Sequence, residues 1–123
     1  PVIIRDDPTG ERRDCVLFDP LDGSSNLDVC APVGTIFSIL RHDRRAKDGQ
    51  ASLLQPGREQ VASGYVLYGS STVFVLTVGH GVDMFVLDPA VGAFMLVQRG
   101  IRPPAASKSY SLNEGNRRTF PEG

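Results

Sequence analysis

Tryptophan is absent, cysteine and histidine occur only twice each, and neither sign of charge prevails, with 13 basic side chains against 14 acidic ones. Each shortage excludes something. Cys15 and Cys30 are too few for a disulfide scaffold and fit a reducing compartment. Neither stands in a Cys-x-x-Cys or Cys/His cluster, which removes a structural zinc site. A formal charge of −1 gives no electrostatic footprint for nucleic acid or an acidic membrane. The start at Pro1 shows no basic end followed by an apolar core, so no signal sequence is read there. That opening and the abrupt end suggest a piece of a longer polypeptide. From Gln60 to Val82 there is no Asp, Glu, Lys or Arg. Gly64, Gly69, Gly79 and Gly81 and five serines and threonines nonetheless make this stretch too polar for a spanning helix of ~20 residues. It reads as buried sheet.

What is present is ordinary globular material, 41% apolar and 22% charged over 123 residues, enough for one modest domain or part of a larger one. The first fourteen residues are charged and turn-rich and predict an exposed loop. Cys15 to Phe18 predicts a short buried strand, ended by the turn residues from Asp19 to Asn26. Thr35 to Leu40 predicts a second strand, followed by a solvated basic loop from Arg41 to Gly49. Leu53 to Gln60, with Pro56 and Gly57, predicts a turn or short helix. Val61–Tyr68, Ser71–Val78, Val82–Leu87 and Ala93–Gln98 are rich in the β-branched and aromatic residues that fit a pleated surface. Asp88 to Gly92 predicts a hairpin connection. Ile101 to Ser107 predicts an extended linker, and Ser109 to Leu112 a last short strand.

The chemistry concentrates between Asp19 and Ser25. Asp19 and Asp22 follow a strand, and the Pro-Leu pair between them bends the chain so that both carboxylates face one side. Hard divalent cations such as magnesium take oxygen ligands, usually one or two carboxylates with water and substrate phosphate. The Leu21 carbonyl offers another oxygen. Gly23 permits positive φ and close approach of an anion, and its N–H with those of Ser24 and Ser25 can form a concave row of donors. A bland alternative stands beside this: Asp-Pro and Asp-Gly are common turn residues, and Asp19 can simply bond the turn's own backbone. The extension through Ser24, Ser25 and Asn26 to Asp28 favours the metal and phosphate reading.

Asp-Pro-Leu-Asp-Gly-Ser-Ser-Asn followed by Val33-Gly34-Thr35-Ile36-Phe37 resembles the fructose-1,6-bisphosphatase family, within the magnesium-dependent, lithium-sensitive sugar phosphatases. The resemblance continues through Leu54-Gln55-Pro56-Gly57, Ala62-Ser63-Gly64-Tyr65, Leu67-Tyr68-Gly69-Ser70 and Leu87-Asp88-Pro89 to Tyr110-Ser111-Leu112-Asn113-Glu114-Gly115. It implies a layered α/β fold of which this stretch is the mostly β central part, a mixed or antiparallel sheet with short helices. Residues 1–52 would close the metal-binding half and 53–123 open the sugar-binding half.

The same resemblance implies a mechanism. Asp19, Asp22 and the Leu21 carbonyl would bind magnesium, with manganese as a substitute. Asp22, Gly23, Ser24 and Ser25 would line the phosphate to be cleaved, and Asn113 would face the second phosphate, although its residue type also suits a helix cap or turn. The reaction would be hydrolysis of the 1-phosphate of fructose 1,6-bisphosphate, serving gluconeogenesis or the photosynthetic carbon cycle in a cytoplasmic homotetramer. Asn116 and Arg117 stand where relatives place a substrate-contacting tyrosine. Arg13 and Arg41 match basic residues of a remote AMP site, but Asp14 replaces a neighbouring tyrosine, which implies weak or absent AMP control. The family's remaining metal ligands and water-activating acids belong before Pro1, and its sugar-phosphate pocket after Gly123. The 123 residues alone are therefore expected to be inactive. Two other readings stay open: a sedoheptulose-1,7-bisphosphatase or bifunctional enzyme, and a non-catalytic β module that binds metal or anions. Both cysteines are expected to be buried.

Overall fold

The computed structural model describes residues 14–106 and 109. Six strands follow one another: β1 (Asp14–Asp22), β2 (Val33–Arg41), β3 (Gln60–Tyr68), β4 (Thr72–Thr77), β5 (Val82–Asp88) and β6 (Ala93–Ile101). They form a single sheet in sequence order in which every neighbouring pair is antiparallel. The mixed-or-antiparallel expectation thus resolves to a pure antiparallel meander. Short connections favour this outcome for every pair except β2 and β3, because parallel neighbours need a crossover of a dozen or more residues, and only the segment 42–59 is that long. β4 and β5 are joined across Val78–Gly81, where Gly79 and Gly81 take φ of 91° and 112°. β5 and β6 are joined through a turn in which Asp88 Oδ1 accepts the Ala90 N–H and the Asp88 carbonyl accepts the Gly92 N–H.

Helix is sparse among the described residues. Ser24–Val29 and Gly57–Glu59 are single 3₁₀ segments, and α1 (Gly49–Leu53) is one α-helical turn capped by Asp48, whose Oδ1 accepts the Ala51 N–H at 2.7 Å. The turn or short helix expected over Leu53–Gln60 therefore begins earlier and splits in two. No helix among the described residues is long and apolar enough to cross a membrane.

Side chains alternate between the two faces of a strand, so the pairing register sorts them. One face carries Phe18, Phe37, Gly64 and Leu76 in one cross-strand row and Thr35, Val66, Phe74, Phe85 and Leu96 in the next. Phe74 is the hub of this face, with ring centroids 6.3 Å from Phe37, 5.7 Å from Phe85 and 5.5 Å from Phe94. Gly64 makes room for the Phe37 ring. A Cβ there would meet the Val75 carbonyl oxygen and approach the Phe37 ring to 3.0 Å. The opposite face carries Asp19, Ile36, Tyr65, Val75 and Met84, and beside them Leu17, Ser38, Ser63 and Thr77.

Burial departs from the sequence reading. The Cys15–Phe18 strand was expected inside, yet Val16 is 58% and Phe18 64% exposed. The uncharged stretch from Gln60 to Val82 is half-buried to exposed rather than interior. Among the described residues only Leu40 and Ser52 are buried. A lone sheet is one layer, and an apolar face becomes core only when a second layer packs on it. Cys15 is half-buried and Cys30 exposed, so the expectation of two buried cysteines fails for Cys30. Cys30 sits at the end of the Ser24–Val29 segment with φ 55°, where its backbone closes the turn on the Leu27 carbonyl.

Candidate metal and phosphate site

β1 does not stop at Asp19, as the turn residues suggested, but runs on to Asp22 through a β-bulge. The register records it. Asp19 pairs with Ile36 and Asp22 with Gly34, three steps along β1 against two along β2. In a regular strand, residues three apart point to opposite faces. The extra residue of the bulge restores the parity, so both aspartates lie on one face. This is the geometry expected from the sequence, reached by a bulge inside a strand rather than by a turn after it. Pro20 is tolerated because β1 is an edge strand, where a missing N–H costs no ladder hydrogen bond.

The bulge frees backbone groups from the ladder, and side chains satisfy them. The Leu21 N–H donates to Asp19 Oδ1 at 3.0 Å. The bland reading of Asp19 as a turn-bonding residue is therefore realised in part, through one oxygen of its carboxylate. The Pro20 carbonyl accepts the Thr35 hydroxyl at 3.0 Å.

Gly23 then reverses the chain in the left-handed region, φ 76° and ψ 27°, and leads into Ser24–Val29. No side chain caps that segment, which leaves the N–H groups of Ser24 and Ser25 uncovered by any capping side chain. Asn26 holds the turn together. Its N–H donates to the Gly23 carbonyl at 2.8 Å, its carbonyl accepts the Ala31 N–H at 3.0 Å, and its Nδ2 donates to the Pro32 carbonyl at 3.2 Å. Sequence pattern alone does not assign Asn26 this role. The signal was its residue type, since asparagine side chains readily bond nearby backbone. A cavity of about 200 Å³ adjoins the turn, lined in part by Asp22, Gly23, Asn26, Gly34 and Thr35.

The structure thus brings together Asp19, Leu21, Asp22, Gly23, Ser24 and Ser25 at one end of β1. Arg41 lies at the far end of the same strand pair, where its Cα partner is Asp14. Arg13 and Asn113 fall outside the described residues. Among the described residues, no three His, Cys, Asp or Glu side chains gather as a metal-holding group. The donors at the bulge are all hard oxygens: two carboxylates on one face and the carbonyl between them. Such donors fit magnesium as one side of a coordination shell, the remainder falling to water, substrate or further acids.

Comparison with known proteins covers the same ground. Residues 2–99 match the family model of the fructose-1,6-bisphosphatase N-terminal domain. The chain is 56% identical over 110 residues to the class 1 fructose-1,6-bisphosphatase of Chlorobium chlorochromatii, across 88% of this chain and 33% of that protein. It is 51% identical over 105 residues to fructose-1,6-bisphosphatase isozyme 2 of Bos taurus, across 85% of this chain and 31% of that protein. The apo crystal structure of Leishmania major fructose-1,6-bisphosphatase superimposes with a TM-score of 0.73 at 40% identity, covering 85% of this chain and 36% of that one. The chain spans about a third of the length of the curated relatives it matches.

Proposed function

Given that the chain belongs to the fructose-1,6-bisphosphatase family, we propose that it carries part of the catalytic centre of an enzyme that hydrolyses the 1-phosphate of fructose 1,6-bisphosphate to fructose 6-phosphate and phosphate. One observation carries the reading: a bulge puts Asp19 and Asp22 on one face, next to the Gly23 turn. Asp19, Asp22 and the Leu21 carbonyl would hold magnesium, or manganese in its place. Bound there, the ion would supply Lewis-acid polarisation of the phosphoryl group and charge to offset the departing sugar oxygen. The N–H groups of Gly23, Ser24 and Ser25 orient the phosphate beside Asp22, and Asn113 contacts the far phosphate. Positioning and charge stabilisation carry most of the catalysis, since phosphoryl transfer needs little covalent help from protein. The active unit is a cytoplasmic homotetramer, working in gluconeogenesis or photosynthetic carbon fixation.

The test uses the full gene product. It should release phosphate from fructose 1,6-bisphosphate only with magnesium or manganese. Asp19→Asn and Asp22→Asn should each lower kcat/KM by at least about a hundredfold, because each removes a charge that balances the transition state. Near-normal turnover in both variants would leave the aspartates as turn residues and sink the assignment. Running sedoheptulose 1,7-bisphosphate in parallel identifies the preferred sugar. AMP control should be weak, because the register sets the acidic Asp14 against Arg41. Inhibition at micromolar AMP would contradict that expectation.

A further inference from the structure

The bulge that carries Asp19 and Asp22 is backed by a hydroxyl chain rooted on the opposite face of the sheet. Thr35 lies between Gly34 and Ile36, the pairing partners of Asp22 and Asp19, so its side chain emerges on the opposite face from theirs. From there its Oγ1 donates to the Pro20 carbonyl at 3.0 Å and lies 2.9 Å from the Tyr68 hydroxyl. The direction of the chain is forced. A threonine hydroxyl has one hydrogen and two lone pairs, and the hydrogen is spent on a carbonyl that can only accept. Tyr68 must therefore donate to Thr35, giving the order Tyr68, Thr35, Pro20.

The Pro20 carbonyl is the point where such a chain has most leverage. It belongs to the bulge, has left the ladder, and sits between the two carboxylates in sequence. Its neighbour Leu21 N–H is already fixed by Asp19 Oδ1 at 3.0 Å. With both the Pro20 carbonyl and the Leu21 N–H tied, the peptide between the aspartates cannot rotate without breaking a hydrogen bond. Successive hydroxyls in such a chain polarise one another and strengthen it.

Resting on the proposed metal site, we propose that Tyr68, acting through Thr35, is a positioning residue that fixes the Pro20–Leu21 peptide and thereby the spacing of the Asp19 and Asp22 carboxylates for a divalent cation. Tyr68 and Thr35 act by holding the bulge in the one conformation that keeps both acids on the same face. Removing the support lets the bulge sample other conformers, so the cation should bind more weakly while the fold persists.

The experiment measures manganese binding by calorimetry and by the spin-resonance signal of free Mn²⁺, using the full gene product without substrate, together with its urea midpoint without metal. Outer partners of metal ligands typically alter affinity about 10–100-fold; Thr35→Val, which deletes the hydroxyl at constant shape, should weaken Mn²⁺ about tenfold. Tyr68→Phe leaves Thr35 on Pro20 and should weaken it about threefold, the scale of one hydrogen bond. Thr35→Ser keeps the hydroxyl and should restore affinity to within about twofold of wild type, less than the loss of one hydrogen bond would cause. The losses should persist when the variants are compared at matched folded fraction. A wild type that binds Mn²⁺, with Thr35→Val binding it equally well, refutes the hydroxyl chain and leaves the metal site standing. Failure of Thr35→Ser to recover affinity refutes it as well. A wild type that binds no Mn²⁺ overturns the metal site and this inference together.

Discussion

Ser52 has the strongest local claim of any single side chain outside the proposed metal site. It is fully buried, and its Oγ accepts the Asp43 N–H at 2.7 Å. The His42 Nδ1 lies 2.9 Å from the same oxygen and the Cys15 Sγ 3.8 Å. Ser52 Oγ thus shares one hydrogen bond with the imidazole while accepting the backbone N–H. Ser52 therefore joins α1 to the end of β2 and the start of β1. Ser52→Ala leaves a part-buried N–H and an imidazole nitrogen without their partner, at a cost of about 1–3 kcal/mol. Urea unfolding of the full gene product should show that loss as a lower midpoint with an unchanged slope. Gly23→Ala acts through the backbone instead. At φ 76° a Cβ is strained by about 1–2 kcal/mol, and it would also sit 3.3 Å from the Asn26 amide. Because Asn26 ties the turn to Pro32, phosphate release should fall further than stability does, read as kcat/KM against the urea midpoint.

Among the elements, β3 tolerates least at Gly64. Its strand is legible from Val, Ala, Tyr and Leu, but the need for a glycine is not. That need comes from the two neighbouring strands: a Cβ would run into the Val75 carbonyl oxygen of β4 and crowd the ring of Phe37, its pairing partner on β2. Gly64→Ala drives a methyl group against the Val75 carbonyl oxygen and that ring, an overpacking worth about 1–3 kcal/mol. The lower urea midpoint should be recovered only in small part by Phe37→Leu, which retracts the ring but leaves the Val75 carbonyl in the way. The same contrast explains what could be read from the chain. β4, β5 and β6 were found within a few residues of their bounds because short β-branched runs between Gly, Pro and Asp turns carry their own signal. The continuation of β1 through Pro20 was missed, since a bulge depends on β2 pairing with it and leaves no local pattern. Asp19 and Asp22 were legible as a same-side pair from their spacing and the bend between them. The support from Thr35 and Tyr68 was not, because it links residues 15 and 33 positions apart.

Across the whole molecule, one sheet leaves two faces of large apolar side chains open to water. Val16, Phe18, Ile36, Met95 and Val97, all on strands, are each more than half exposed, a surface that monomeric proteins seldom present in contiguous form. Burying it gains about 25 cal/mol per Å², so these faces will be covered by whatever polypeptide is at hand. For the 123 residues expressed alone, the nearest cover is another copy. Sedimentation velocity at tens of micromolar should show concentration-dependent association, with enhanced fluorescence from a hydrophobic dye at low concentration. The same preparation should release no phosphate from fructose 1,6-bisphosphate with magnesium, while the full gene product does. The reason is the donor count. Two carboxylates and a carbonyl make one side of a coordination shell, and the described residues gather no third acid to complete it or to activate water. Magnesium-dependent turnover by a monodisperse monomer of these 123 residues would contradict both parts, since it would require a covered sheet and a complete site within the one chain.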